Sequence, residues 1–206
     1  MSVTADRSEP TSTDIRRTAL EMFAREGYDG TSIRDIAASV GIRGASMYHH
    51  FASKEEILWD LTLSALGTLA DAWEQEKRPA ALDPESQLRA FVRAGVRFHA
   101  EHRTAARLVN SQLHRLAPEH YAQAVKLRDE YQHDLAAIVE ECVASGRHDA
   151  PDVHVTVFAI LQMTSAIADW FDPAGPLAVV TLGSIYEELA LKMLAPSPSS
   201  GAWGES

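Results

Sequence analysis

Between Arg43 and Lys54 the sequence holds a guanidinium, serine hydroxyls, a phenol, two imidazoles and an ammonium, with Thr31 and Ser32 a short way upstream. These groups donate hydrogen bonds, and nothing in their order resembles a nucleophile with its base. A guanidinium at Arg43 matches the O6/N7 edge of guanine bidentately, and Ser46 is a weaker second reader of a base. Lys54 stands at a helix start, where free backbone N–H groups already favour a phosphate. Tyr48 and His49 offer an O–H and a ring N–H, and Ser32 or its neighbour Thr31 a hydroxyl, to a nucleic-acid backbone. Phosphate contacts supply most of the affinity in such recognition, and base contacts supply the sequence preference. The chemistry implied is that of gripping a duplex.

Such groups need a scaffold that holds them on one side. Ile33, Ile36, Ala37 and Val40 fall at i, i+3, i+4 and i+7, the apolar stripe of a short helix. Ser32 with Asp35 makes a capping box at its start, and Gly41 supplies a left-handed residue at its end. After Ile42-Arg43 a second short helix is predicted from Gly44 to about His50. Met47 and Phe51 pin it inward, leaving Arg43, Gly44, Ser46, Tyr48 and His49 facing out. Ser53 and Glu56 form another box, so a third helix starts at Lys54. Helix, glycine turn, helix is the pattern whose second helix lies in the DNA major groove.

This segment closely resembles the DNA-binding domain of the TetR family of one-component transcriptional repressors. The matching pieces are AREGYDGTSIRDIA, the Gly41 turn, MYHHF at 47–51 and SKEEIL at 53–58. The resemblance implies phosphate contacts at Tyr48 and His49, and a homodimer that binds a palindromic double-stranded DNA operator. It also implies pairing of subunits through the last two helices and release by a small apolar effector. Many members carry Ser-Lys-Gly where this chain has Arg43, Gly44 and Ala45, so the usual cap is absent and the basic charge stands one residue earlier. Residues 111–195 look loosely like the branch controlling fatty-acid and sterol breakdown, whose regulators are typically released by acyl-CoA thioesters. Ala117-Pro118-Glu119, Leu127 to Tyr131, Ala144-Ser145-Gly146 and Asp169 to Gly175 carry that likeness. That branch often has an arginine where this chain has Asp169. Trp73, Phe91, Phe98, Met163, Trp170 and Phe171 are the candidate effector-lining residues, with plain core packing the other use of each. A multidrug-type apolar sensor is the alternative within this class.

The chain has 206 residues, 46% of them hydrophobic, and a formal net charge of −10. Acidity on that scale argues against a nucleic-acid binder, but the charge is unevenly spread. Residues 31–54 carry Arg34, Arg43 and Lys54 against Asp35 alone, a local +2 that leaves −12 for the remainder. The polar N-terminus has no apolar core of a signal peptide, and the longest apolar stretch, around 155–161, is far short of the roughly 20 residues that span a bilayer. One cysteine, Cys142, excludes an internal disulfide and suits a reducing cytoplasm. No contact with a membrane is expected.

The rival class is a small helical enzyme or a scaffold without DNA function. The sequence contains no G-x-S-x-G, Walker loop, G-x-G-x-x-G or H-E-x-x-H, so we expect no catalytic residue and no cofactor. His99 and His102 share a helix face with Glu101 between them, and His114 follows on the next helix. A closed zinc site needs four ligands, and Cys142 is far along the chain, so these histidines are read as hydrogen-bonded or solvated and no metal is expected.

The chain reads as all-α, an N-terminal three-helix helix-turn-helix domain followed by a C-terminal helical bundle for ligand binding and dimerisation. Residues 1–11 form a disordered arm, 12–56 the DNA-binding domain, 57–195 the ligand-binding and dimerisation domain, and 196–206 a disordered tail. A first helix is expected from Ser12 or Thr13 to Glu26 and a long one from Lys54 to about Lys77. After a break at 79–83, further helices are expected over 84–101, 103–113, 118–146, 152–171 and 177–195. The 152–171 helix is apolar on more than one side, as a helix buried on two faces must be.

Overall fold

The computed structural model describes residues 11–77 and 83–196. The expected N-terminal arm up to residue 10, the break at 79–82 and the tail from 197 lie outside the described residues. Ten helices follow in order: α1 Ser12–Glu26, α2 Ile33–Val40, α3 Gly44–Met47, α4 Lys54–Lys77, α5 Pro84–Glu101, α6 Arg103–Gln112, α7 Pro118–Ala144, α8 Val153–Ser165, α9 Ile167–Trp170 and α10 Val179–Met193. A single 3-10 turn, Leu113–Arg115, stands between α6 and α7. The all-α reading misses one small feature: β1, His148–Asp149, pairs antiparallel with β2, Ala195–Pro196. Two-residue strands leave no sequence period to detect.

By packing, the described chain divides into two units. Residues 11–65 and 104–124 form the head; residues 66–103 and 125–196 form the body. The two long helices α4 and α7 each supply residues to both.

In the head, α1 begins at Thr11, whose side chain and that of Asp14 bond reciprocally to each other's backbone N–H. Its buried face is Ile15, Ala19, Met22 and Phe23, the expected stripe. Tyr28 folds back on Phe23 with ring centroids 5.1 Å apart. The turn into α2 requires glycine at position 30, because a Cβ there would lie 2.4 Å from the carbonyl oxygen of Glu26. Ile36, Met47 and Ile57 are completely buried beneath the helix pair, each stabilising the fold by about 1.5–3 kcal/mol. Residues 104–124 belong to this unit through specific bonds. Glu55 accepts from the Ala117 N–H and from His120 Nδ1, both at 2.9 Å, and Trp59 stacks flat on His120 at 4.7 Å.

In the body, α5 is the central helix. Asp83 caps it by accepting from the Ser86 N–H at 2.9 Å, and Pro84 occupies its first turn. Along it Leu88, Ala90, Phe91, Val92, Ala94, Gly95, Val96, Phe98, His99 and Ala100 are all buried, under α8, α9 and α10. The helix expected at 152–171 is broken at Ala166 into α8 and α9. Thr164 contributes to the break, since its Oγ1 donates to the carbonyls of Ile160 and Leu161 and so competes with the helix ladder. The expectation about membrane length also needs correction. Val153–Trp170, 18 residues with mean hydropathy 1.2, is long and apolar enough to cross a bilayer by length and composition. Counting only unbroken apolar letters misses it, because threonines and a glutamine interrupt the run.

Candidate nucleic-acid interface and effector core

The helix-turn-helix is built by caps. Ser32 Oγ accepts from the Asp35 N–H at 3.2 Å, and the Asp35 carboxylate accepts from the Ser32 N–H at 3.0 Å and its hydroxyl at 2.6 Å. Those bonds from Ser32 hold the Asp35 carboxyl below its ordinary range. Gly41 takes the left-handed conformation, φ 80°, and its N–H reaches back to Ala37 and Ala38. α3 is shorter than its expected 44–50 span, ending at Met47. Arg43 gives it no side-chain cap and Gly44 is a poor first residue, so the following turn is instead closed by tight bonds from His49, His50 and Phe51 to Ser46 and Met47. Ser53 caps α4 through the Glu56 N–H at 3.0 Å, but the Glu56 carboxylate reaches the Ala52 N–H rather than that of Ser53.

Around α3 the exposed residues are polar. Ser32, Arg43, Ser46, Tyr48 and His49 all face solvent, Gly44 is half-covered, and the Tyr48 ring is 54% exposed although it is large and aromatic. Two of the sequence candidates are placed differently. Thr31 is 1% exposed and its hydroxyl donates to Gly27 O at 2.9 Å, so this side chain serves the fold and presents nothing to a duplex. Lys54 donates from Nζ to Tyr28 O at 2.7 Å and Thr31 O at 2.9 Å, while lying 4.2 Å from the Tyr28 ring centroid. Two of its three N–H groups are thereby spent inside the head, fixing the loop before α2 to the start of α4. Its sequence position shows the helix start but not those carbonyls. Arg16, on α1, is held by Asp60 of α4.

In the body the structure brings together some of the aromatic candidates. Trp73 and Phe91 meet edge to face at 5.0 Å, and Phe91 packs on Tyr131 at 4.5 Å. Trp73 Nε1–H donates to Asp134 Oδ2 at 2.8 Å. Phe171 belongs to the same buried core, and Met163 packs against it. Phe98 lies beside the rings of His99 and His102 instead. Trp170 is 51% exposed and does not line this core. Its ring still meets that of Phe171 edge to face at 6.1 Å, but Phe171 is buried and Trp170 lies at the surface.

His99 is buried, with Nδ1 2.8 Å from Gly95 O. Burial lowers its pKa from 6.5 to about 4, partly offset by the Gly95 bond and helped by Arg128 nearby, so the ring is neutral at ordinary pH. The Tyr131 hydroxyl is buried with no hydrogen-bond partner, and burial raises its pKa well above 10. The Tyr131 hydroxyl stands beside Gly95, where an added Cβ would lie 3.5 Å from it. Nothing in the spacing of letters on two separate helices could show it.

The comparisons agree with this architecture. Residues 15–61 match the profile for bacterial regulatory proteins of the tetR family, and residues 81–194 that for the tetracyclin repressor-like C-terminal domain. The chain is similar to the HTH-type transcriptional repressor KstR2 of Mycolicibacterium smegmatis, 31% identical over 86% of this chain and 87% of that one. It is similar also to KstR2 of Rhodococcus jostii, 29% identical over 89% and 90%. Among solved structures, a tetR-family regulatory protein from Rhodococcus RHA1 superposes with a TM-score of 0.84 at 28% identity, covering 91% of this chain and 98% of the other. The capped helix pair and the helical body are thus parts of one known design, and the chain belongs to the TetR family of ligand-responsive transcriptional repressors, DNA-binding proteins and not enzymes.

Proposed function

We propose that this protein represses transcription from a palindromic operator as a homodimer in the cytoplasm, and leaves it when an acyl-CoA thioester or related lipid metabolite enters the body. The observation that carries the DNA half is the uncapped, exposed Arg43 at the start of α3, on a scaffold otherwise closed by capping boxes. Arg43 reads a guanine, with Ser46 beside it; Tyr48 and His49 hold phosphates, Lys54 adds its remaining N–H and the N-terminus of α4, and Ser32, whose O–H and N–H are both given to Asp35, holds the frame.

The pairing surface is taken to be α8 and α10. Val155 and Phe158 on α8, and Ile185 and Leu189 on α10, are exposed at helical spacings, an apolar surface that water alone would not select. This is also the use that explains the membrane-like composition of α8. Half-sites one DNA turn apart, about 34 Å, tolerate little change in the distance between two recognition helices. An effector held among body helices acts through α4 and α7, because both continue into residues of the head. The acyl-CoA class is supported by the likeness of the 117–131, 144–146 and 169–175 stretches to the lipid-degradation branch.

The test is a mobility-shift titration on DNA from upstream of the gene, with acyl-CoA thioesters, their free acids and unrelated apolar compounds as releasing agents. Release by thioesters alone is the expected outcome. Release by any apolar compound would replace the acyl-CoA reading with a multidrug-type sensor, and no shift with any upstream fragment would sink the operator assignment.

A further inference from the structure

We propose that the Tyr131 hydroxyl, together with the space left by Gly95, is the polar anchor for the effector, donating a hydrogen bond to a neutral carbonyl or hydroxyl oxygen on an otherwise apolar molecule. This rests on the reading of the body as effector-responsive, and it names a chemical feature that any effector of this chain must carry.

Tyr131 Oη is the only buried side-chain nitrogen or oxygen among the described residues that has no hydrogen-bond partner. Its ring already packs on Phe91, a task that phenylalanine would perform without leaving a hydroxyl unsatisfied. A buried donor that nothing in the chain satisfies is spare bonding capacity.

The space beside the hydroxyl is small and set by Gly95. A Cβ built on Gly95 would lie 3.5 Å from Tyr131 Oη and 3.7 Å from both Cβ and Oγ1 of Thr164, ordinary contact distances. The positive-φ glycines are Gly27, Gly41 and Gly146, so no backbone conformation accounts for glycine at 95. It sits in the middle of α5, where glycine is costlier than alanine. What its missing side chain provides is a gap of about one methyl group, bounded by a phenol and a threonine.

The polar groups around that gap define what fits. Thr164 Oγ1 spends its proton on Ile160 O and Leu161 O, which leaves its lone pairs to accept. His99, one turn along α5, is directed at the Gly95 carbonyl and is neutral. Asp134 is engaged with the Trp73 indole. No cation among these groups faces the gap, and Tyr131 stays a protonated donor. A carboxylate brought here would lose its hydration for one neutral hydrogen bond, whereas a ketone, thioester or alcohol would lose little. The hydroxyl therefore favours a neutral oxygen flanked by hydrocarbon, next to the packed rings of Phe91 and Trp73.

The experiment uses the full chain and three probes of matched size: benzylacetone, butylbenzene and phenylbutyrate, followed by Trp fluorescence and calorimetry. Wild type is expected to bind the ketone more tightly than the hydrocarbon, and the hydrocarbon more tightly than the carboxylate. Tyr131→Phe is expected to weaken ketone binding about five- to tenfold, the worth of one neutral hydrogen bond, and to leave butylbenzene unchanged. Gly95→Ala, which fits at ordinary contact distance, is expected to weaken both. Thermal melting shows that each variant is folded. Equal ketone affinity in wild type and Tyr131→Phe, or no ketone binding by wild type, overturns the proposal. Its failure is separable from that of the acyl-CoA reading. Ketone discrimination without operator release by any thioester retires the acyl-CoA reading alone; thioester release that is identical in wild type and Tyr131→Phe overturns this one alone.

Discussion

Around α3 the side chains left in solvent are polar, and the fold beneath them is closed by reciprocal caps at Ser32–Asp35 and Thr11–Asp14. On α8 and α10 the side chains left in solvent include Val155, Phe158, Ile185 and Leu189, and inside the body a phenol hydroxyl is buried and unpaired. Each region leaves its binding chemistry exposed in the medium where its partner will meet it. A duplex arrives hydrated and anionic, so the head offers donors on a rigid frame and the cost of removing water stays small. On the proposed reading a second copy and an apolar effector arrive as hydrocarbon, and the body offers surface that gains from losing water. Rigidity is concentrated where geometry is read, and vacant bonding capacity where a ligand is to be sensed.

That contrast is most severely tested at the pairing surface. Ile185→Asp with Leu189→Asp places two carboxylates on the apolar face of α10 while touching no buried group. Operator affinity is expected to fall by about two orders of magnitude or more as the dimer is lost, since burying an unpaired charge outweighs the apolar gain. Sedimentation shows the monomer directly, and an unaltered dimer would mean that the apolar face has another use.

The next effect separates the regions by pH. His99 is buried neutral with a folded pKa of about 4 against 6.5 for the free side chain, so the unfolded body binds more protons between those values. Its contribution is complete above pH 6.5 and is lost as pH falls toward 4, on the order of 3 kcal/mol in all. The capping carboxylates Asp14 and Asp35 are lowered too, from 3.8, but their window is more acid: they favour the fold above that value and fail only as pH falls below it. Chemical denaturation from pH 7 to pH 4 should therefore weaken the body first. Head and body probes that lose stability together over this range would break the distinction.

Within the head, Lys54→Met is expected to cost about 2 kcal/mol of stability, since it removes charge-assisted bonds to two carbonyls. It should weaken all duplexes alike. Arg43→Ala has the opposite signature: unchanged melting, with about 1–3 kcal/mol of discrimination lost at one base pair. Paired melting and mobility-shift measurements on matched and mismatched operators distinguish the two. A loss of melting temperature in Arg43→Ala and none in Lys54→Met would reverse the roles. The smallest effect is Ser32→Ala, about 1 kcal/mol from the α2 cap, read as a lower melting temperature.

Local chemistry was legible because it is written within a few residues. The Ser32–Asp35 box and the Gly41 stop appear where their spacing places them, and α1 and α5 span the residues expected of them. The α3 boundary was not legible, because its length depends on how Phe51 is pinned rather than on the propensities of residues 48–50. Thr31 and Ser32 are neighbours of nearly the same chemistry, yet one is buried and the other exposed; a half-turn of backbone decides that.

The sequence alone determined the all-α class, the helix-turn-helix and its caps, since each follows from short-range periodicity and capping. Tertiary structure alone decided that Lys54 spends its charge on Tyr28 and Thr31, that residues 104–124 join the head, that Trp170 turns outward, and that Tyr131 meets the gap at Gly95. These depend on which helices pack together, and a hydrogen bond left unmade becomes visible only once every neighbour is in place.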